Sequence, residues 1–433
     1  MHSSTKLNRF INQVVLNKLI FIFFVFICLF PSIRLLLIGS HPMSNIYESI
    51  ITMLPDIFLT GIFIYVFWLF LINRKYSEKP FKMEILDWVI LLFFLSNTIV
   101  GFIESNDFKL ASRGFRITYY PVLFYFCGRY FIYPEQSLQL RIIDKIFFLF
   151  VIIAIIGIII YFIFPSIELY MNTLSGYHQS EYFIRRMASI LWTQLLFATL
   201  MAFASVYYYY LILTKNNLKS YIYFSILVFA ITLSVSRGAI IASFIGYLIL
   251  TIFFRKWKRS FIAAGIVVAL FILVSFYATG DFKFFLWVFS SSFHTMSMDD
   301  NITRVNRWKV SFIDVFEHPL GYGLGKAGAT AFRFLKDGRV PSAPFSTDGW
   351  YLKLANETGL VGLITYLIFI LCYLWISLKN LIRNYDNIAI YIFSIFILIN
   401  MENIVCNTLD FYPFIILFWF LIGLSANLFY KNL

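Results

Sequence analysis

Long apolar blocks separated by short polar breaks run through the whole chain. They lie near 19–39, 56–73, 84–103, 115–133, 146–165, 188–213, 220–236, 238–254, 260–279, 357–378, 387–405 and 411–429. Each approaches the roughly 20 residues that carry a helix across hydrocarbon. A bilayer holds no water for unpaired backbone groups, so every block is expected to be helical. The pattern predicts an all-α polytopic membrane protein, one membrane domain over 1–433 with about twelve transmembrane helices. Two breaks exceed simple connectors, 166–187 and roughly 280–350, the second lying between the ninth and tenth spans. Long non-membrane segments of this kind tend to carry function.

Within the larger loop the periodicity changes to that of an amphipathic helix over Asp300–Glu317, capped by Asp300 or Asn301 and stopped by Pro319. Val305, Trp308, Phe312 and Val315 form its apolar stripe, which a helix lying at the membrane surface would bury; Arg304, Arg307, Ser311 and Asp314 form the adjacent polar one.

Composition removes the soluble alternative. Of 433 residues 61% are hydrophobic and 21% aromatic, and only 13% are charged; a soluble domain carries about 25% charged residues. The scattered cysteines (Cys28, Cys127, Cys372, Cys406) form no C-x-x-C or Cys/His cluster, so neither a disulfide framework nor a metal site is expected. Lys6, Arg9 and Lys18 precede a first apolar run too long for a signal peptide core, which reads as an uncleaved span.

Charge then orients the spans. Breaks holding Arg74, Lys75, Lys79, Lys82, Arg255, Lys256, Lys258 and Arg259 are short and basic, whereas acids and bases on the other side balance. The net charge of +13 therefore sits inside, with both termini cytoplasmic and the large loop extracytoplasmic. The basic total is topology, and no nucleic-acid partner is expected.

Several arginines stand out against this background. Arg237 sits between two apolar blocks with almost no loop around it and no acid nearby in sequence. A cation at that depth is costly unless paired, which makes it a candidate anion site; snorkelling to the interface beside Gly238 is the alternative. Arg113 with Arg116, Arg185 with Arg186, and Arg304 with Arg307 add guanidinium groups on the same outer face. Their planar fork suits the bidentate binding of phosphate oxygens, so a phosphate- or pyrophosphate-bearing lipid is the natural partner. Asp348 falls in the first turn of the tenth span, where a carboxylate caps the helix dipole or serves as a base. Trp350 and Tyr351 follow, suited to sugar stacking or interfacial anchoring. Glu357 ahead of Gly359 reads as bridging a helix end. The chain has no H-E-x-x-H, P-loop, G-x-S-x-G or D-x-D motif, so no cofactor or metal is expected.

Read in order, four pieces resemble the O-antigen ligase and O-antigen (polysaccharide) polymerase family of bacterial inner-membrane proteins. They are Ser236-Arg237-Gly238-Ala239, Arg304-x-x-x-Trp308, Pro319-Leu320-Gly321-Tyr322-Gly323-Leu324-Gly325, and Tyr351-Leu352 through Glu357-Thr358-Gly359-Leu360-Val361-Gly362. Arg186, with Ser189 and Gln194 beyond it, is similar to the family's arginine before its middle span. The resemblance implies a metal-independent, inverting glycosyltransferase acting at the outer face of the cytoplasmic membrane on an undecaprenyl-pyrophosphate-linked oligosaccharide. By resemblance Arg237 and Arg304 grip the pyrophosphate; the chemistry of the transfer makes Asp348 the candidate base beside them, with Arg307, Arg186, Arg116, Arg113, Tyr351 and Trp350 as candidates for holding pyrophosphate or glycan. Family ligases typically place histidine where this chain has Asp348, so the resemblance favours a polymerase over a ligase. A chain-length regulator and a flippase are the protein partners that role implies. A lipid-linked sugar flippase or transporter is the other class, and the chain lacks the internal repeats common there.

Overall fold

A computed structural model of the chain describes residues 2–38, 45–76, 83–131, 136–167, 186–191, 193–279, 298–328, 331, 349–383 and 386–431. Among them the fold is helical, without a strand. The principal helices are α1 (His2–Ile38), α2 (Asn45–Tyr76), α3 (Ile85–Ile103), α4 (Phe108–Thr118), α5 (Gln136–Ile163), α6 (Gln194–Lys215) and α7 (Leu218–Ser234). They continue with α8 (Arg237–Phe254), α9 (Trp257–Thr279), α10 (Met298–Glu317), α11 (Trp350–Arg383), α12 (Asn387–Val405) and α13 (Phe414–Lys431).

Short polar residues set the boundaries. Asp107 accepts from Lys109 N (2.9 Å) and Leu110 N (3.1 Å) to start α4. Asn217 caps α7 through Ser220 N (2.9 Å), and Asp386 caps α12 through Ile388 N (2.8 Å). Asn216 and Val235, both at positive φ, turn the chain between α6, α7 and α8 within two residues each time.

Eight helices in the described residues are long and apolar enough to cross a membrane, and Met53–Trp68, Leu218–Ser234 and Phe414–Phe429 are shorter apolar helices. These match eleven of the twelve expected blocks. Block 115–133 differs: after α4 the chain passes through a 3-10 turn (Tyr120–Leu123), a short α segment and a π turn (Cys127–Phe131). Pro121 has no N–H for the helical ladder. Further on, Gly128 and Gly423 let this segment and α13 cross at backbone contact; a Cβ on Gly423 would stand 2.9 Å from Arg129 N.

α6 lies at the centre, packed by α5, α7, α8 and α12, with 94% of its apolar window buried. Outward-facing positions are themselves apolar, for example Ile99, Phe261, Ile364 and Trp375. That is the arrangement lipid rather than water requires. α10 packs on α11 with Val315 and Ser311 buried and Trp308 half-buried, whereas Phe312 faces outward with Val310, Ile313 and Phe316; the side chain of Val305 lies outside the described residues.

Candidate functional site

The exit of α12 organises one end of the bundle. Its last turn and the residues after it, Glu402–Asn407, meet the starts of two other helices. Gly238 at the start of α8 is close enough that a Cβ there would lie 3.6 Å from Cys406 Sγ and 3.9 Å from Glu402 Cγ. Gly349, just before α11, donates its N–H to Asn407 Oδ1 (3.2 Å), and a Cβ on it would stand 2.7 Å from Ile404 O. The ring of Trp308 in α10 closes on the same glycine, 3.3 Å from that Cβ position. Arg237 therefore opens a helix on the stretch that also receives the start of α11 and the Trp308 turn of α10. Arg304 is one turn before Trp308 in α10; its side chain and that of Arg307 lie outside the described residues, as do Asp348 and Arg185.

Arg186 reaches the same end by backbone pairing. Met187 N donates to Leu233 O (3.1 Å), four residues before Arg237. The segment is pinned from the other side by Ser189 Oγ to Ile153 O (3.3 Å) and Ser32 Oγ to Ile190 O (2.9 Å). Arg186 itself is half-buried, as is Arg237.

Three expected residues have partners of another kind. Arg116 Nε lies 3.0 Å from Asp56 Oδ2, and Tyr412 OH bridges Asp56 Oδ1 (3.0 Å) and Arg116 O (2.7 Å). This guanidinium is thus held by the protein's own carboxylate and ties α4 to α2 and to the turn before α13. Trp350 is buried, its ring beside Tyr366 and under the Lys353 ammonium, so it faces protein and not an open surface. Tyr351 is half-buried, with its hydroxyl on Asn400 O and Oδ1 (both 3.3 Å). Arg113, half-buried on α4, sits one residue before Gly114, where α4 meets the loop after α10: a Cβ on Gly114 would stand 2.8 Å from Gly325 Cα.

That loop gives the glycine-rich motif a structural reason. α11 kinks at Gly359 (φ +61°, ψ −143°), which releases carbonyls from the helical ladder. Tyr322 N donates to Asn356 O (2.8 Å), Gly323 N to Glu357 O (3.0 Å), and Leu360 N to Pro319 O (2.8 Å). Leu324 N reaches Gly101 O at the end of α3 (3.1 Å). Gly321, Gly323 and Gly325 all have positive φ, and a Cβ on Gly321 would stand 2.7 Å from the Glu357 carbonyl carbon. Tyr322 is fixed above the loop by a hydrogen bond to Asp314 Oδ1 (2.6 Å). Desolvation, with Asp314 and Glu317 adding negative charge, pushes its phenol well above the ordinary range, so it stays the donor.

Beneath the loop lies a cluster the sequence did not reveal. Lys353, fully buried, donates to Thr118 Oγ1 (2.7 Å), pairs with Asp410 Oδ1, and stands 3.9 Å from Glu357 Oε2. Glu357 Oε1 in turn accepts from Gly325 N (3.0 Å). One ammonium and two carboxylates therefore lock the start of α11 to α4, to the glycine loop and to the turn before α13. A second unforeseen carboxylate is Glu402, whose Oε1 accepts from Thr199 Oγ1 of α6 (2.6 Å) while Oε2 is buried without a hydrogen bond among the described residues. The one local hint of either was the i,i+4 spacing of Lys353 and Glu357 in an otherwise apolar helix.

Residues 222–367 match the family model described as O-antigen ligase. The match runs from α7 past the kink of α11, covering Arg237, α10, the glycine loop and Lys353–Glu357. A search of curated proteins finds no match.

Proposed function

We propose that this membrane protein is a glycan polymerase. It joins undecaprenyl-pyrophosphate-linked oligosaccharide repeat units at the outer face of the bacterial cytoplasmic membrane, with both termini in the cytoplasm. The observation that carries this reading is the meeting of the Arg237 helix start, the Trp308 turn of α10 and Gly349 on the single stretch Glu402–Asn407. Arg237, Trp308 and Gly349 lie within residues 222–367, the region similar to O-antigen ligases, and Glu402–Asn407 lies beyond it.

The chemistry follows from the donor. The acceptor hydroxyl oxygen attacks the anomeric carbon, whose bond to the pyrophosphate oxygen breaks with its electron pair leaving on the pyrophosphate. The hydroxyl proton passes to the Asp348 carboxylate as general base. Attack opposite the leaving group inverts the anomeric centre. Arg237 and Arg304 stabilise the charge growing on the leaving oxygens, with Arg307, Arg186 and Arg113 supplementing them. Arg116, already paired with Asp56, is assigned to holding the scaffold. Tyr351 is left as a glycan contact at the rim, and buried Trp350 as its support. A flippase supplying the donor and a chain-length regulator are the partners this role calls for.

The description of the matched family favours a second reading, a ligase delivering glycan to a different acceptor. Purified protein given a lipid-pyrophosphate-linked repeat separates them. A ladder of lengthened glycans is expected; a single transfer to an added acceptor lipid instead identifies a ligase. Movement of donor between leaflets without a new glycosidic bond overturns both.

A further inference from the structure

α10 spends only part of its apolar surface on the protein. At about 100° per residue, positions around its axis run from Val315 and Trp308 to Phe312, Phe316 and Ile313. They then reach a polar edge, Glu317 and Asp314, with Val310 between these two. The first group is on the protein side, Val315 buried and Trp308 half-buried where α10 packs on α11. The second group is outside. Phe312, Phe316 and Ile313 are 61%, 64% and 51% exposed, and the two phenyl rings lean on each other at 5.5 Å. Leu320, just past Pro319, is exposed as well and extends the patch. A contiguous apolar surface of this kind marks an interaction site.

The patch continues the surface that the bundle turns to lipid. Leu360 N donates to Pro319 O (2.8 Å) at the kink of α11, and Leu324 N reaches Gly101 O (3.1 Å) two residues before the end of α3. α3 has 19 residues, which is about 28 Å and close to the roughly 30 Å of hydrocarbon in a bilayer, so its end marks the hydrocarbon boundary. The outward-facing Ile99 and Ile103 of α3 and Ile364 of α11 lie within one turn of these contacts. Lys309, exposed, falls between Phe316 and Ile313 around the axis. A lysine amid an apolar face suits lipid better than a dry protein contact. Its stem lies along hydrocarbon while the ammonium reaches a headgroup phosphate, and protein interfaces are depleted in lysine.

We propose that Phe312, Ile313, Phe316 and Leu320 seat α10 among the acyl chains at the margin of the bilayer, with Lys309 on the phosphates. In the orientation proposed above this is the outer leaflet. Amphipathic helices bury such a face about 5–10 Å into this layer. Arg304 precedes Phe312 by about two turns, so lipid fixes the height of the helix that carries it.

The test places the photoreactive residue p-benzoylphenylalanine at Phe312 or at Phe316 in the full chain, which is purified and returned to vesicles of phosphatidylethanolamine and phosphatidylglycerol. Both side chains are already aromatic and exposed, so the fold tolerates the change. Ile99, on the outward side of α3, and Glu317, on the polar edge of α10, are the reference positions. Adducts formed on illumination are identified by mass spectrometry. Phospholipid adducts at Phe312 and Phe316, bonded to the acyl chains, are expected to match the yield at Ile99 and to be lost at Glu317. Adducts to a second copy of the chain or to another segment of the same chain overturn the proposal. A lipid yield at Phe312 and Phe316 no higher than at Glu317 does the same. None of these readouts requires turnover, so the lipid seat and the glycosyl-transfer reading fail separately.

Discussion

Replacing Lys353 by methionine keeps the length and removes the charge, and the surroundings fix what that costs. The ammonium is fully buried, pairs with Asp410, and stands 3.9 Å from Glu357 Oε2. Coulomb's law at an effective dielectric of about 20 gives about 4 kcal/mol for a pair 3.9 Å apart. That falls within the roughly 3–5 kcal/mol measured when one partner of a buried ion pair is removed. Two free cysteines supply the assay, since Cys28 and Cys127 are buried and react with a thiol dye only as the bundle opens, above the background from half-buried Cys372 and Cys406. Lys353→Met is expected to lower the unfolding temperature in detergent by on the order of 5–10 °C. Lys353→Met with Asp410→Asn removes both charges together and is expected to recover at least about 2 kcal/mol of the loss, the coupling of groups in direct contact. A single variant as stable as wild type, or a double variant no better than the single one, refutes the assignment of this cluster as the lock on the start of α11.

Other outcomes follow from the same geometry. Arg237→Ala and Arg304→Ala are expected to lower kcat by about 100- to 1,000-fold each in protein that is folded and inserted; wild-type product yield from either removes it from the pyrophosphate site. Asp348→Asn is expected to slow turnover while donor binding, measured by displacement of a labelled polyprenyl pyrophosphate, stays near wild type; unchanged turnover reduces Asp348 to a helix cap. Gly325→Ala places a Cβ against α4 at positive φ (3.0 Å from Leu110 Cγ), and its unfolding temperature is expected to fall; an unaltered value contradicts the loop's close fit.

The helical membrane scaffold was legible because it is written locally, one apolar block per helix. What escaped the sequence depends on residues far apart along it. Lys353 and Asp410 are 57 positions apart and Thr199 and Glu402 are 203, so neither pair leaves a local pattern. Arg116 read as a candidate phosphate ligand because its partner Asp56 lies on another helix. The break in block 115–133 needs the Gly128–Gly423 crossing as well as Pro121, and only the proline shows in the sequence near it. For α10, the stripe was legible as a period, but which of its members meet the protein was not: Val315 is buried, whereas Phe312 turns outward with Phe316. The glycine motif was legible as letters; its cause, a kink at Gly359 whose freed carbonyls the loop satisfies, was not.

Glycosyl transfer from a lipid pyrophosphate has a fixed stoichiometry, and counting it tests the proposed function most directly. Purified protein in lipid vesicles, supplied only with a polyprenyl-pyrophosphate-linked repeat unit, is expected to release one polyprenyl pyrophosphate for every glycosidic bond formed, both quantified by mass spectrometry. New bonds without released pyrophosphate, or no bonds at all from a folded protein that binds the donor, contradict it.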